Sequence, residues 1–110
     1  MDMFTALAEP TRRNILEMLA NSGEMSASEI FNKFSSSAPA ISQHLKVLRD
    51  ADMVVVEKRA QQRIYTINPL KISELEEWVK KLTKQWEDRF SRLDKLLELE
   101  KGKLKKGGGK

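Results

Sequence analysis

Ser35-Ser36-Ser37-Ala38-Pro39-Ala40-Ile41-Ser42-Gln43-His44-Leu45-Lys46-Val47-Leu48-Arg49 is the stretch that decides the fold. The serine run breaks whatever precedes it, and the oxygen of Ser37 can accept from the first turn of a new helix. Pro39 suits that first turn, where no amide hydrogen is needed. Ile41, Leu45 and Leu48 recur at i, i+4 and i+7 and so share one face. Leu45 and Leu48 lie within about 40° of Ile41, whereas Pro39, Gln43 and Lys46 lie about 140–200° away and Ser42 about 100° away. One face therefore packs, and the other carries hydroxyl, amide and ammonium groups. Such groups suit base edges and phosphates, and the helix N-terminus adds backbone donors for a phosphate.

Working outward, Asp2 can cap a short helix over residues 3–8, and Pro10 suits the first position of another, in which Ile15, Leu16 and Leu19 face inward until Asn21-Ser22-Gly23 stops it. Ser26-Ala27-Ser28-Glu29 has the pattern of a capping box and opens a helix with Ile30, Phe31 and Phe34 on its apolar side. Downstream, the helix ends near Ala51-Asp52. Residues 53–57 and 63–67 read as two β-strands, joined by a polar loop over residues 58–62. Two short helices about a Ser-rich turn, followed by a hairpin, give a mainly α (α+β) fold. Its order is that of a winged helix-turn-helix with a two-stranded β-wing. The wing tip holds Lys58, Arg59, Gln61, Gln62 and Arg63, groups suited to the DNA backbone or minor groove.

From about residue 70 to residue 101 there is no Gly or Pro. Leu75, Val79, Leu82, Trp86, Phe90, Leu93 and Leu97 recur every three or four residues. Thirty helical residues span about 45 Å, whereas a domain of this size has a radius of gyration of about 13 Å. This long C-terminal helix outruns its own domain, and its stripe implies a partner chain. Trp78 and Trp86 read as packing anchors of that interface. The domain is thus expected over residues 1–100, with a disordered basic tail over residues 101–110.

The 110 residues carry a net charge of +4, but residues 1–70 hold eight Lys/Arg and eight Asp/Glu; the surplus lies beyond them, largely on the Lys- and Gly-rich end. Overall basicity is therefore poor evidence for nucleic acid. There is no Cys and one His, which excludes disulfides, thiolate metal sites and a two-His metal site within the chain. No apolar run approaches a membrane span, the N-terminus lacks a basic leader, and the expected compartment is cytoplasmic. His44 lies on the flank of the core face and is expected to pack or bond a backbone group. Arg12 and Arg13 sit at a helix start, the unfavourable end for cations, which hints at a phosphate or an acidic neighbour.

Leu7-Ala8-Glu9-Pro10-Thr11-Arg12-Arg13-Asn14-Ile15-Leu16, Ala40-Ile41-Ser42-Gln43-His44-Leu45-Lys46-Val47-Leu48-Arg49 and Arg63-Ile64-Tyr65-Thr66-Ile67 together resemble the ArsR/SmtB family of bacterial winged-helix repressors. The resemblance is strongest to a metal-independent branch with autorepressor-like members. It implies a homodimer joined through the last helix with the first, and it places Leu75, Trp78, Val79, Leu82, Trp86, Phe90 and Leu93 at that interface. It also implies DNA contacts from Ser37, Ala38, Pro39, Ser42, Gln43 and Lys46 on the reading helix and from Arg59, Gln61, Gln62 and Arg63 on the wing. Metal-sensing members use Cys, or His and acids on the last helix, and this chain lacks both Cys and a last-helix His, so no metal or cofactor is expected. Ala38 and Pro39 replace polar base readers, and Asp52 stands where the family usually has Gly.

The expected function is a sequence-specific double-stranded DNA-binding repressor, acting as a two-fold dimer on an inverted repeat. The alternative is a winged-helix protein-interaction module, which the neutral charge balance of residues 1–70 allows. An enzyme is not expected, because no nucleophile–base pair or phosphate loop stands out. No small-molecule effector can be named from the sequence.

Overall fold

A computed structural model describes residues 1–105, with side chains through Glu100. Residues Met1–Ser73 form one unit, and a second begins at Glu74. In the first unit each helix is started by a side chain that satisfies an orphan amide. Asp2 Oδ1 accepts from the Thr5 amide at 2.8 Å to open α1 (Met3–Leu7). Glu9 Oε2 accepts from the Arg12 amide at 3.2 Å to open α2 (Pro10–Ser22), with Pro10 in its first turn. Gly23 ends α2 at φ 86°, a left-handed conformation that a side chain would strain.

Met25 and Ser26 form a short strand, β1 (Met25–Ser26), absent from the sequence expectation. It leads directly into α3 (Ala27–Phe31), where the capping box is complete: Ser26 Oγ accepts from the Glu29 amide at 3.1 Å, and Glu29 Oε1 from the Ser26 amide at 2.9 Å. Those bonds hold the Glu29 carboxyl below its ordinary value, the Ser26 backbone donor being the largest cause. Ser37 then caps α4 (Ala38–Asp50) through the Ala40 amide at 3.3 Å. Asp52, at φ 58°, turns the chain out of α4. Its left-handed backbone is tolerated by a short polar side chain and is anchored by Asn68, whose Nδ2 donates to the Asp52 carbonyl at 2.9 Å.

β2 (Val54–Arg59) and β3 (Gln62–Ile67) pair antiparallel with Arg59 opposite Gln62. The hairpin loop is therefore two residues, Ala60 and Gln61, shorter than the expected residues 58–62. Ala60 takes φ 57°, as tight hairpin turns demand of a central residue. Lys58, Arg59, Gln62 and Arg63 consequently sit on strands, with alternating rather than shared directions. The wing is also wider than two strands. β1 pairs with β3, Met25 opposite Tyr65 and Ser26 opposite Ile64, giving the order β1-β3-β2. A two-residue strand has too little alternation to be read from sequence; its partner only becomes adjacent in space.

Ala6, Ile15, Leu19, Ile30, Ile41, Leu45, Leu48 and Met53 are almost wholly buried and build the core with Tyr65 and Val54. Phe31 and Phe34 pack at its margin, although α3 ends at Phe31 and so is shorter than the expected helix, leaving Phe34 on the segment after it. The burial of Ile41, Leu45 and Leu48 fixes the rotation of α4 and turns Ser42, Gln43 and Lys46 outward.

The last helix, α5 (Pro69–Lys105), is 37 residues long, about 55 Å at helical rise. It continues past position 101, where the tail was expected to begin. Residues 106–110, and with them the expectation of a disordered end, lie outside the described residues. Among the described residues, no helix is long and apolar enough to cross a membrane.

Candidate nucleic-acid interface

The outward row of α4 runs Pro39, Ser42, Lys46, Arg49 at helical spacing, with Gln43 beside it. On β3, Arg63 and Tyr65 are two residues apart and so share one face. The two rows meet: Pro39, Ser42, Gln43, Lys46, Arg49, Arg63 and Tyr65 line one open concavity of about 310 Å³. Its lining holds three cations and no carboxylate. Lys46 reaches back to Asp50 at 3.5 Å, an exposed i,i+4 pair of little strength.

The structure thus brings together five of the ten expected DNA-contact residues. Ser37 is spent on the cap and Ala38 is exposed in the first turn. Gln61, Gln62 and Arg63 border a second shallow hollow, with Ser26, Ala27 and Ser28. Arg59 stands apart. Its Nη1 donates to Glu24 Oε2 at 2.7 Å and its Nη2 to Glu57 Oε2 at 3.2 Å, so the guanidinium is bridged between the wing and the segment after α2. The Glu24 hydrogen bond, followed by that of Glu57, raises its pKa further still. Arg49 and Tyr65 join the site unannounced by the sequence. The available signals were the position of Arg49, three residues beyond Lys46, and that of Tyr65, two beyond Arg63.

Behind the reading face, the helix-start arginines have internal partners. Arg12 Nε donates to the Ala6 carbonyl at 2.7 Å and Nη2 to the Thr5 carbonyl at 3.2 Å, while Arg13 Nη1 donates to the Leu7 carbonyl at 2.7 Å. Both therefore cap the last carbonyls of α1, partners within the chain rather than a phosphate, and Arg12 does have an acidic neighbour in Glu9, whose carboxyl its charge helps to lower. His44 meets the Arg12 side chain, Nη1 to Nδ1 at 3.2 Å, rather than a backbone group. Guanidinium only donates, so this contact is a hydrogen bond when Nδ1 is the acceptor. Glu9 lies 3.7 Å from the same nitrogen. Burial pushes the Glu9 carboxyl upward, but the Arg12 amide and neighbouring His44 outweigh it and leave it below its ordinary value. This cluster braces α4 from behind.

In the second unit, Trp78, Val79, Leu82, Trp86, Phe90 and Leu93 are 45–64% exposed, and Leu75 is half-buried. Their spacing with Leu97 repeats every 11 residues: 75, 86 and 97; 79 and 90; 82 and 93. That period, about 3.67 residues per turn, keeps the stripe on one side of a nearly straight helix. Trp86 and Phe90 form a tilted ring pair with centroids 6.3 Å apart.

The sequence model of the bacterial regulatory protein, arsR family, matches residues 9–56, from the cap of α2 into β2. The transcriptional repressor SdpR of Bacillus subtilis is 33% identical over 78 residues, covering 71% of this chain and 86% of its own length. The HTH-type transcriptional regulator Rv2034 of Mycobacterium tuberculosis is 40% identical over 70 residues, 64% of each chain, so this chain spans just under two thirds of that relative. Among solved structures, the ArsR family transcriptional regulator RHA00566 superimposes with a TM-score of 0.69 at 28% identity, over 76% of this chain and 86% of that one. A possible transcriptional regulator for arsenical resistance gives 0.67 at 34% identity, over 74% and 84%.

Proposed function

Because this chain belongs to the ArsR family of bacterial regulatory proteins, we propose that it is a homodimeric, sequence-specific repressor that reads double-stranded DNA with α4 and the β2–β3 wing. The observation that carries the proposal is the concavity where the outward row of α4 meets Arg63, lined by three cations without an opposing carboxylate. Gln43 can donate to and accept from an adenine edge, Ser42 suits either kind of partner, and Lys46 and Arg63 suit phosphates. Ala38 and Pro39 offer only apolar contact, of the kind a thymine methyl accepts. A binding rather than a catalytic role goes with the family, as does residence with the chromosome in the cytoplasm.

The exposed stripe of α5 supports pairing with a second copy. Two reading helices about 34 Å apart then face successive major grooves of an inverted repeat. Repression follows from occupying a promoter that polymerase needs.

A mobility-shift titration on DNA upstream of the protein's own gene, at several salt concentrations, tests this. Steeply salt-dependent binding is expected, and Gln43→Ala should weaken binding to the cognate duplex more than to a random one. Equal loss on both removes Gln43 as a reader. Salt-insensitive behaviour, or no duplex binding, favours the protein-interaction alternative.

A further inference from the structure

Tyr65 is 5% exposed, and its ring belongs to the core, yet its hydroxyl forms no hydrogen bond among the described residues. It is also not sealed from solvent, since the fold leaves no unpartnered side-chain oxygen fully enclosed among the described residues. A core position that needed only a ring would be served by phenylalanine without the polar atom. The residue borders the concavity between α4 and β3, together with Lys46, Arg49 and Arg63. Three cationic residues and a tyrosine with an unused donor thus line one hollow that has no acid in its lining.

We infer that this hollow is a cradle for one phosphodiester of the DNA backbone, with Tyr65 as the fixed neutral donor and Arg49 and Arg63 as the charged walls. The proposal rests on the DNA-binding reading above and adds two residues to it. An anionic oxygen entering the cradle accepts from the Tyr65 hydroxyl and from the guanidinium groups, and charge-assisted bonds of this kind are the strong ones. The core fixes the tyrosine ring, so little freedom is lost when the bond forms. The bound phosphate then sets the depth and rotation at which α4 enters the groove. Contacts to phosphate position a protein on the duplex, whereas base contacts specify the sequence. The cradle therefore acts alike on every sequence, while Ser42 and Gln43 discriminate.

Tyr65→Phe separates the hydroxyl from the ring. Its melting temperature is expected to match or exceed that of the wild type, because the hydroxyl has no partner in the free protein. Its affinity is expected to fall about tenfold, as for a lost hydrogen bond to a charged group, on the upstream duplex and on a random duplex alike. The slope of log affinity against log salt should not change, because no charge is lost. Arg49→Gln should lower that slope by about 0.9. Inorganic phosphate, added at constant ionic strength, supplies the second arm. Wild-type affinity in Tyr65→Phe overturns the cradle and leaves the DNA-binding reading standing. A loss confined to the upstream duplex makes Tyr65 a base contact and overturns it too. Inorganic phosphate that binds the wild type but not Tyr65→Phe, with duplex affinity unaltered, assigns the hollow to a free anion instead. Absence of salt-dependent duplex binding by the wild type refutes the underlying reading itself.

Discussion

Truncating Trp86 to alanine is the sharpest perturbation of the proposed dimer. Trp86 leaves 64% of its surface in water, more than any other residue placed at the interface. A buried tryptophan removes up to about 250 Å² from solvent, so covering that fraction removes about 160 Å², or about 4 kcal/mol at about 25 cal/mol per Å². Two-fold pairing counts the residue twice. If the partner covers half of the exposed area in each copy, the loss is about 4 kcal/mol per dimer, a rise in dissociation constant of roughly 10³. Phe90, whose ring packs on Trp86 at 6.3 Å between centroids, loses its neighbour as well. Sedimentation equilibrium of Trp86→Ala should show monomer at concentrations where the wild type is dimeric. Among the described residues the core contains nothing beyond Ile72, so the monomer is expected to stay folded. Its melting temperature should cease to depend on protein concentration, as linkage requires. In a mobility shift the variant should lose avidity for a two-half-site duplex while a single half-site is bound as before. A wild type that sediments as a monomer, or a Trp86→Ala dissociation constant within a few-fold of the wild-type value, would refute the reasoning.

Two further predictions concern the carboxylates. Glu24→Gln removes the 2.7 Å partner of Arg59 and one negative charge beside the wing; duplex affinity should rise and the salt slope steepen by up to about 0.9 as Arg59 becomes available to a phosphate. A fall in affinity would instead make the Glu24 pair a brace for the wing. Glu29 titrates below its ordinary value of 4.5 because it accepts from the Ser26 amide. A depressed folded-state pKa contributes stability that is present above 4.5 and lost as pH falls through the folded value. Melting temperature should therefore decline with acidification below that point, and Glu29→Gln should decline less steeply; parallel curves would remove the capping box from the acid response.

What the sequence revealed was local. The caps at Asp2, Ser26 and Ser37, the inward row Ile41, Leu45, Leu48 and the helix end near Ala51-Asp52 all depend on residues within one or two turns of each other, and each is found as spacing anticipates. The stripe on α5 was legible for the same reason. The features that escaped join distant parts of the chain. β1 exists because Met25 and Ser26 lie against Tyr65 and Ile64, some 40 residues on. Arg12 and Arg13 read as cations at the wrong helix end, because the α1 carbonyls that hold them converge only once α1 folds back on α2.

Arg59 and Tyr65 reverse the roles that residue type alone assigns. A wing-tip arginine resembles a phosphate ligand, yet Glu24, 35 residues away, and Glu57 already occupy its donors. A tyrosine in an apolar strand resembles core, yet its hydroxyl is an unspent donor and the residue lines the open hollow between α4 and β3. Charge attracts DNA over a distance, but at contact what binds is a donor with no nearer acceptor. On that criterion Arg49, Arg63 and Tyr65 outrank Arg59. The order of losses among their single substitutions, measured on a random duplex where base reading plays no part, should follow the availability of each donor rather than its formal charge.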